Sequence, residues 1–364
     1  MTSLPQKMPD KMPERMSGVI LKGHGDLDQL EYRNDLALPD MGHHDVLIKV
    51  EAAGVNNTDI NTRTAWYSKG DGDSDDASWS GQALQFPRIQ GADVCGTIVA
   101  VGDSVEKDRI GQRVLIEPCI REAQGKTLET PWYFGSECNG GFAEYAVVSN
   151  RHAYKVTSTL KSHELASFPC SYSTAENMLT RARVQPYDRV LITGASGGVG
   201  SAAIQLAKAR GASVIAITSP SKADEILEIG ADQVLGRNVN YADALGANSV
   251  DVVIDLVAGD AFPSLLDVMK SGGRYAVAGA IGGPLVELDV RTLYLKDLSF
   301  FGCTVLEPKV FGNLVKLIEE NKIKPLVAET YPLSEIATAQ TSFEQKKHIG
   351  KIVLTVNADA KIAQ

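Results

Sequence analysis

From residue 189 to 210 the chain reads RVLITGASGGVGSAAIQLAKAR, and no other stretch limits its possible folds so sharply. A short apolar run ends in Gly194, and the glycine cluster through Gly200 opens into small and apolar residues at helical spacing. Strand, glycine turn and helix in that order belong to a βαβ unit. The alternation continues downstream. SVIAIT (213–218) leads into KADEILEIG, and DVVIDLV (251–257) leads into a helical stretch near 261–270. RYAVAGA (274–280) and LSFFGCTV (298–305) complete the series. Continuous apolar strands separated by helices predict an α/β unit, a doubly wound parallel sheet buried on both faces.

The turn itself carries chemistry. Gly197 lets backbone approach a pyrophosphate, and Gly200 lets the helix pack close on the strand. The backbone from Ser196 through Gly197, Gly198, Val199 and Gly200 then offers N–H groups and the positive end of a helix to phosphate oxygens. Ala195 stands where the first glycine of GxGxxG is usual. The end of the second strand selects the nucleotide. An acidic residue there binds ribose hydroxyls, yet Ile217–Lys222 contains none before Asp224. Ser219, Lys222 and Arg237 instead suit a 2′-phosphate. These residues predict NADPH.

Residues 17 to about 157 have a different texture, with short alternating runs such as VLIKVEAAGV (46–55) and CGTIVAVG (95–102) between glycines. They read as strands of a β-rich unit. With 364 residues, at roughly 100–200 per domain, two domains are expected. The leader 1–16 reads as disordered, and the Gly/Ser/Asp stretch 68–85 as a surface loop. Its Asp71, Asp73, Asp75 and Asp76 lack the glycine and glutamate of a calcium loop. A net charge of −9 opposes binding to nucleic acid or an anionic membrane. No apolar run reaches the ~18–20 residues of a membrane span. The leader lacks a secretory h-region, so the cytoplasm is expected, with all five cysteines reduced.

Several ordered motifs resemble the medium-chain dehydrogenase/reductase superfamily. GVNNTD (54–59), GADVCGTIVAVG (91–102), RIGQRV (109–114), GGFAEY (140–145) and TGASGGVGSAAIQLAK (193–208) match its pattern in order. The resemblance implies a chaperonin-10-like (GroES-like) β-rich catalytic domain over 17–170 and 306–364, with a Rossmann domain over 171–305 between them. It also implies a homodimer or homotetramer, for which SFFGCTV would supply a pairing edge.

Departures from the pattern bear on the reaction. Zinc-dependent relatives hold a catalytic zinc through Cys, His and Cys. Here Asn56 replaces the first ligand and Ala92 the second. Cys170, in FPCSYSTA, remains, and the glutamate beside the histidine is Asp93. The lobe that elsewhere carries a structural zinc offers only Cys119 and Cys138. The resemblance thus implies no metal, and a quinone-oxidoreductase-like enzyme that moves hydride from NADPH to a small quinone or enone. Negative charge then develops on a carbonyl oxygen. Asn56 and Tyr67, which ends a segment like the family's RxGxY, are the expected donors, with Thr174 beside the nicotinamide. Two other readings stay open: a zinc alcohol dehydrogenase using Cys170 and Asp93, and an NADPH-binding protein without turnover.

Overall fold

The computed structural model describes residues 12–68, 78–79 and 83–356. The four aspartates at 71, 73, 75 and 76 lie outside them. An antiparallel hairpin of β1 (Arg15–Leu21) and β2 (Leu30–Ala37) comes first. Next are β3 (Asp45–Val55), α1 (Asn57–Arg63), β4 (Asp93–Val101), β5 (Arg113–Ile116), β6 (Cys119–Ala123), β7 (Lys126–Tyr133), β8 (Tyr145–Ser149) and β9 (Ala153–Lys155). Helices α2 (Ser162–Leu165) and α3 (Pro169–Arg181) lead to β10 (Arg189–Ile192), α4 (Gly198–Ala209), β11 (Ser213–Ile217), α5 (Ala223–Ile229) and β12 (Gln233–Leu235). Then come α6 (Tyr241–Leu245), β13 (Val250–Asp255), α7 (Phe262–Val268), β14 (Met269–Val277), α8 (Val290–Leu295), β15 (Ser299–Gly302) and α9 (Val310–Glu319). β16 (Val327–Pro332), α10 (Ile336–Glu344) and β17 (Lys351–Thr355) close the described chain.

The chain divides into two units. One runs up to Cys170 and takes back Pro325–Lys347 and the chain from Lys351 on. Its main sheet has the order β16-β17-β3-β4-β5-β9, with β8 also paired to β3. Strand β3 is central because its residues Val46, Ile48, Val50, Ala53 and Val55 are wholly buried. Helix α1 is fastened to α10 by Arg63, 2% exposed, whose Nε donates to Gln340 Oε1 at 3.0 Å and whose Nη1 donates to Gly25 O at 2.8 Å. The β6–β7 hairpin is anchored by buried His152. Its Nε2 accepts from the backbone N–H of Arg121 (3.0 Å) and Glu122 (3.1 Å). That leaves Nδ1 to donate to Glu117 Oε2 at 2.9 Å.

The other unit is Ser171–Lys324 with His348–Gly350. Its six parallel strands run β12-β11-β10-β13-β14-β15, the doubly wound order predicted from the sequence. Two expected boundaries move. Residues 306–324 belong to this unit, because Asn177 on α3 donates to Val305 O (3.2 Å) and accepts from Glu307 N (2.9 Å). Tyr172 likewise donates to Lys324 O at 2.7 Å. Arg15 and Met16, expected in the leader, instead pair with Ala37 and Leu36 in β1, where Met16 is buried, and residues 1–11 of that expectation lie outside the described residues.

Candidate active site

Strand register builds the first cluster. β17 pairs antiparallel with β3 so that Ile352 faces Val55, and β4 pairs with β3 so that Asp93 faces Gly54. Lys351, Asn56 and Asp93 therefore meet at the end of β3. The Lys351 ammonium donates to Asn56 Oδ1 (2.5 Å), Val55 O (2.8 Å) and Asp93 Oδ2 (2.8 Å). Asn56 Nδ2 donates to Asp93 Oδ2 (2.8 Å) and to Gly54 O (3.3 Å). Asp93 Oδ1 accepts from the Cys170 N–H, in the first turn of α3, at 2.5 Å. Lys351 is 2% exposed and Asp93 fully buried, so each charge is tolerated only because the other neutralises it. Gly54 is required here, since a Cβ would stand 2.6 Å from Asp93 Oδ2.

Beside this pair, Ala92, Tyr133 and Cys170 pack together with half-buried Trp79. The Tyr133 hydroxyl is 2.8 Å from Cys170 Sγ, and its ring stacks on Trp79 with centroids 5.0 Å apart. Burial pushes the Cys170 thiol up to about 12 and holds the Tyr133 phenol well above its ordinary range, so both keep their protons. Tyr67, also raised by burial, donates to Thr58 Oγ1 at 3.2 Å. Asp59 accepts from the Asn56 N–H at 2.7 Å, and burial lifts its carboxyl to about 7.

One expectation changes. Asn56 was to donate to a substrate oxygen, but both of its amide hydrogens are held by Asp93 and Gly54. It links Lys351 to Asp93 instead. Among the described residues no three His, Cys, Asp or Glu side chains come together as a metal would need. Lys351 and Tyr133 escaped the sequence reading. A lysine heading an apolar run and a tyrosine ending a hairpin carry no motif, and only register brings them to Asn56 and Cys170.

The glycine turn forms the second cluster. Gly194 has φ +57°, and a Cβ on Gly200 would lie 2.3 Å from Gly194 O, so the helix touches the turn. Gly197 caps α4, its own Cβ position meeting only Gly194 O at 3.5 Å, and no side chain caps the helix. The N–H groups of the first turn thus have no side-chain cap, as a phosphate site requires. Ala195 fits, fully buried, where glycine is usual. Lys222 donates to His348 O (2.8 Å) and Ser196 Oγ (3.4 Å). Burial, and then the nearby charge of exposed Arg237, lower its pKa. Ser219 lies at the same end of β11, its Oγ 3.3 Å from that of Ser221. Fully buried Thr218 directly follows that strand, with an Oγ1 that has no hydrogen-bond partner among the described residues. Two cations brought together, with the Glu225 carboxylate acting on Lys222 more weakly than Arg237 does, fit a dinucleotide phosphate. Thr174 is half-buried on α3, one helical turn beyond Cys170.

Comparison with known proteins agrees with both units. Residues 42–158 match the alcohol dehydrogenase GroES-like domain, and residues 198–320 match the zinc-binding dehydrogenase domain. The chain belongs to the medium-chain dehydrogenase/reductase superfamily, whose members are oxidoreductases using a nicotinamide dinucleotide. It is 30% identical to human quinone oxidoreductase over 328 residues, 86% of this chain and 90% of the relative. It is 29% identical to acryloyl-coenzyme A reductase of Metallosphaera sedula, over 93% of this chain and 100% of the relative. A solved Sinorhizobium meliloti 1021 protein, provisionally named an alcohol dehydrogenase, superposes with TM-score 0.87 at 44% identity, covering 95% of this chain and 98% of that one.

Proposed function

We propose that the chain is an NADPH-dependent, metal-free reductase that transfers hydride to a quinone or to an enone. One observation carries the reading. Where zinc-dependent relatives place two ligands and an acidic neighbour, this chain has Asn56, Ala92 and Asp93, and the Lys351 ammonium holds Asn56 and Asp93 together. Cys170, the remaining ligand position, is a neutral thiol against Tyr133. A neutral thiol and a carboxylate already paired to lysine make a poor zinc set, which needs deprotonated ligands. The likeness to a quinone oxidoreductase and an acryloyl-coenzyme A reductase supports the substrate class.

Bound NADPH supplies the hydride. Ser196, Gly197, Gly198, Val199 and Gly200 would hold its pyrophosphate, Ser219, Lys222 and Arg237 its 2′-phosphate, and Thr174 would flank the nicotinamide. Tyr67 would donate a hydrogen bond to the carbonyl oxygen as charge develops. Asn56 acts by positioning, keeping Asp93 and Lys351 paired beside that oxygen. Protein treated with a strong chelator is offered quinones, enones and aldehydes while NADPH oxidation is followed by absorbance. Undiminished quinone or enone reduction is expected. Turnover of alcohols and aldehydes that needs added zinc would replace this reading, and tight NADPH binding with no turnover would leave a binding protein.

A homo-oligomer belongs to the same proposal. Of the 15 large hydrophobic side chains exposed among the described residues, eight fall between Ile281 and Val305, around edge strand β15. Light scattering that gave a monomer would remove it. No helix among the described residues is long and apolar enough to cross a membrane. Residence in the cytoplasm is proposed with the rest, and fractionation of the host cell tests it.

A further inference from the structure

This inference rests on the reading above and deepens it. A carbonyl oxygen that gains negative charge beside Cys170 needs a donor whose hydrogen is cheaply released. Asn56 is already committed, one amide hydrogen to the Gly54 carbonyl and the other to Asp93, and exchanging Asp93 for the new anion gains little and strips a donor from a buried charge. Tyr133 is placed differently. Among the described residues its hydroxyl has one partner, the Cys170 sulfur at 2.8 Å, and a thiol is a weak donor as well as a weak acceptor. Whichever of the two donates, turning the O–H to an oxyanion costs at most a weak bond and gains a charge-assisted one, roughly twice as strong as a neutral hydrogen bond. The ring packs in one cluster with Ala92 and Cys170, and its stacking on Trp79 holds it there.

We propose that Tyr133 is a catalytic residue whose hydroxyl donates a hydrogen bond to the substrate carbonyl oxygen, and that Cys170 is the residue positioning it. The O–H bond stays intact, as suits a phenol whose burial opposes ionisation. The hydride brings two electrons to the acceptor carbon, the displaced π pair moves onto oxygen, and water supplies the completing proton.

The test uses NADP⁺-loaded protein and 4-nitrophenol, a phenolate mimic of the oxyanion whose colour reports its ionisation. Wild-type protein is expected to bind the phenolate, and Tyr133→Phe to weaken it by about tenfold or more. Cys170→Ser, which keeps a polar partner, should stay within about threefold, and Cys170→Ala should fall between. In turnover, Tyr133→Phe should lower kcat by about tenfold or more while the KM for NADPH holds. Should Tyr133→Phe lose the fold, fluorotyrosine at position 133 replaces it, and its more acidic hydroxyl should tighten phenolate binding. Equal phenolate binding and equal kcat in wild type and Tyr133→Phe would overturn the assignment, as would a wild type that binds no phenolate. Tyr133-dependent phenolate binding without turnover of any quinone or enone would instead remove the proposed reaction and leave the donor in place.

Discussion

The end of β3 and the glycine turn before α4 handle charge in opposite ways. At β3 every formal charge has its complement within the protein. Lys351 meets Asp93 at 2.8 Å, Asn56 bridges them, and the α3 amide of Cys170 completes the carboxylate's shell. At the turn like charges come close together, with Glu225 also acting on Lys222. Lys222 lies close enough to Arg237 for the two to repel, and the helix N-terminus has no side-chain cap. We read the first cluster as one that resists a metal and the second as one that invites an anion, which would give the two regions separate duties, shaping the reaction chamber and capturing the cofactor.

Removing one cation from each region tests the contrast most severely. Lys351→Met leaves Asp93 buried without its counter-charge, which should cost about 3–5 kcal/mol of stability. Adding Asp93→Asn should recover most of that loss, because no uncompensated charge then remains. Lys222→Met should change stability by no more than about 0.5 kcal/mol, as for an ordinary surface substitution. Urea unfolding of the four proteins decides it. A Lys351→Met protein as stable as wild type would mean that Asp93 is solvated and the cluster is not self-contained.

Asp59 sharpens the picture of a dry chamber. Its carboxyl is lifted from an ordinary 3.8 to about 7, first by burial, so the fold favours the protonated form. The stability this gives is fully present below about pH 4 and is lost as pH rises through about 7. Asp59→Asn keeps a neutral group that still accepts from the Asn56 N–H. Variant and wild type should match near pH 4, and the variant should be the more stable at about pH 8, with a ceiling of about 4 kcal/mol. Thermal melts across that range check the sign. Curves that stay parallel would mean that Asp59 is ionised throughout and the chamber is wet.

What could be read in advance follows the same division. The doubly wound sheet and its turn were legible because their information is local. RVLITG, the glycines to Gly200 and the acid-free end of β11 lie within some thirty residues, and each piece has its own physical meaning. The chamber was legible only as a set of absences, with Asn56 and Ala92 where ligands would stand. What replaced those ligands was hidden, because Lys351 reaches Asn56 across 295 positions of sequence through the β17–β3 register. The return of the chain was misjudged for a related reason. Residues 306–324 look detached from the Rossmann strands in sequence, while the hydrogen bonds of Asn177 and Tyr172 tie them to α3.

Cofactor choice is the smallest effect and bears directly on the unbalanced region. If Lys222 and Arg237 share a ligand, a 2′-phosphate relieves their repulsion while gaining hydrogen bonds from both. NADPH should then bind at least about tenfold more tightly than NADH, which is ~1.4 kcal/mol. Lys222→Glu should reverse much of that preference, since a carboxylate repels the phosphate and can accept from ribose hydroxyls. Because burial and Arg237 lower the pKa of Lys222, the preference should also fade as pH rises into the alkaline range, and Lys222→Arg should remove that fading. Raising ionic strength should weaken NADPH more than NADH, because only the former depends on the exposed Arg237 charge. Titration of both cofactors by nicotinamide fluorescence, at two pH values and two salt concentrations, separates these outcomes. Equal affinities in the unmodified protein would show that the cations at this turn repel without recruiting a phosphate, and the contrast with β3 would lose its functional meaning.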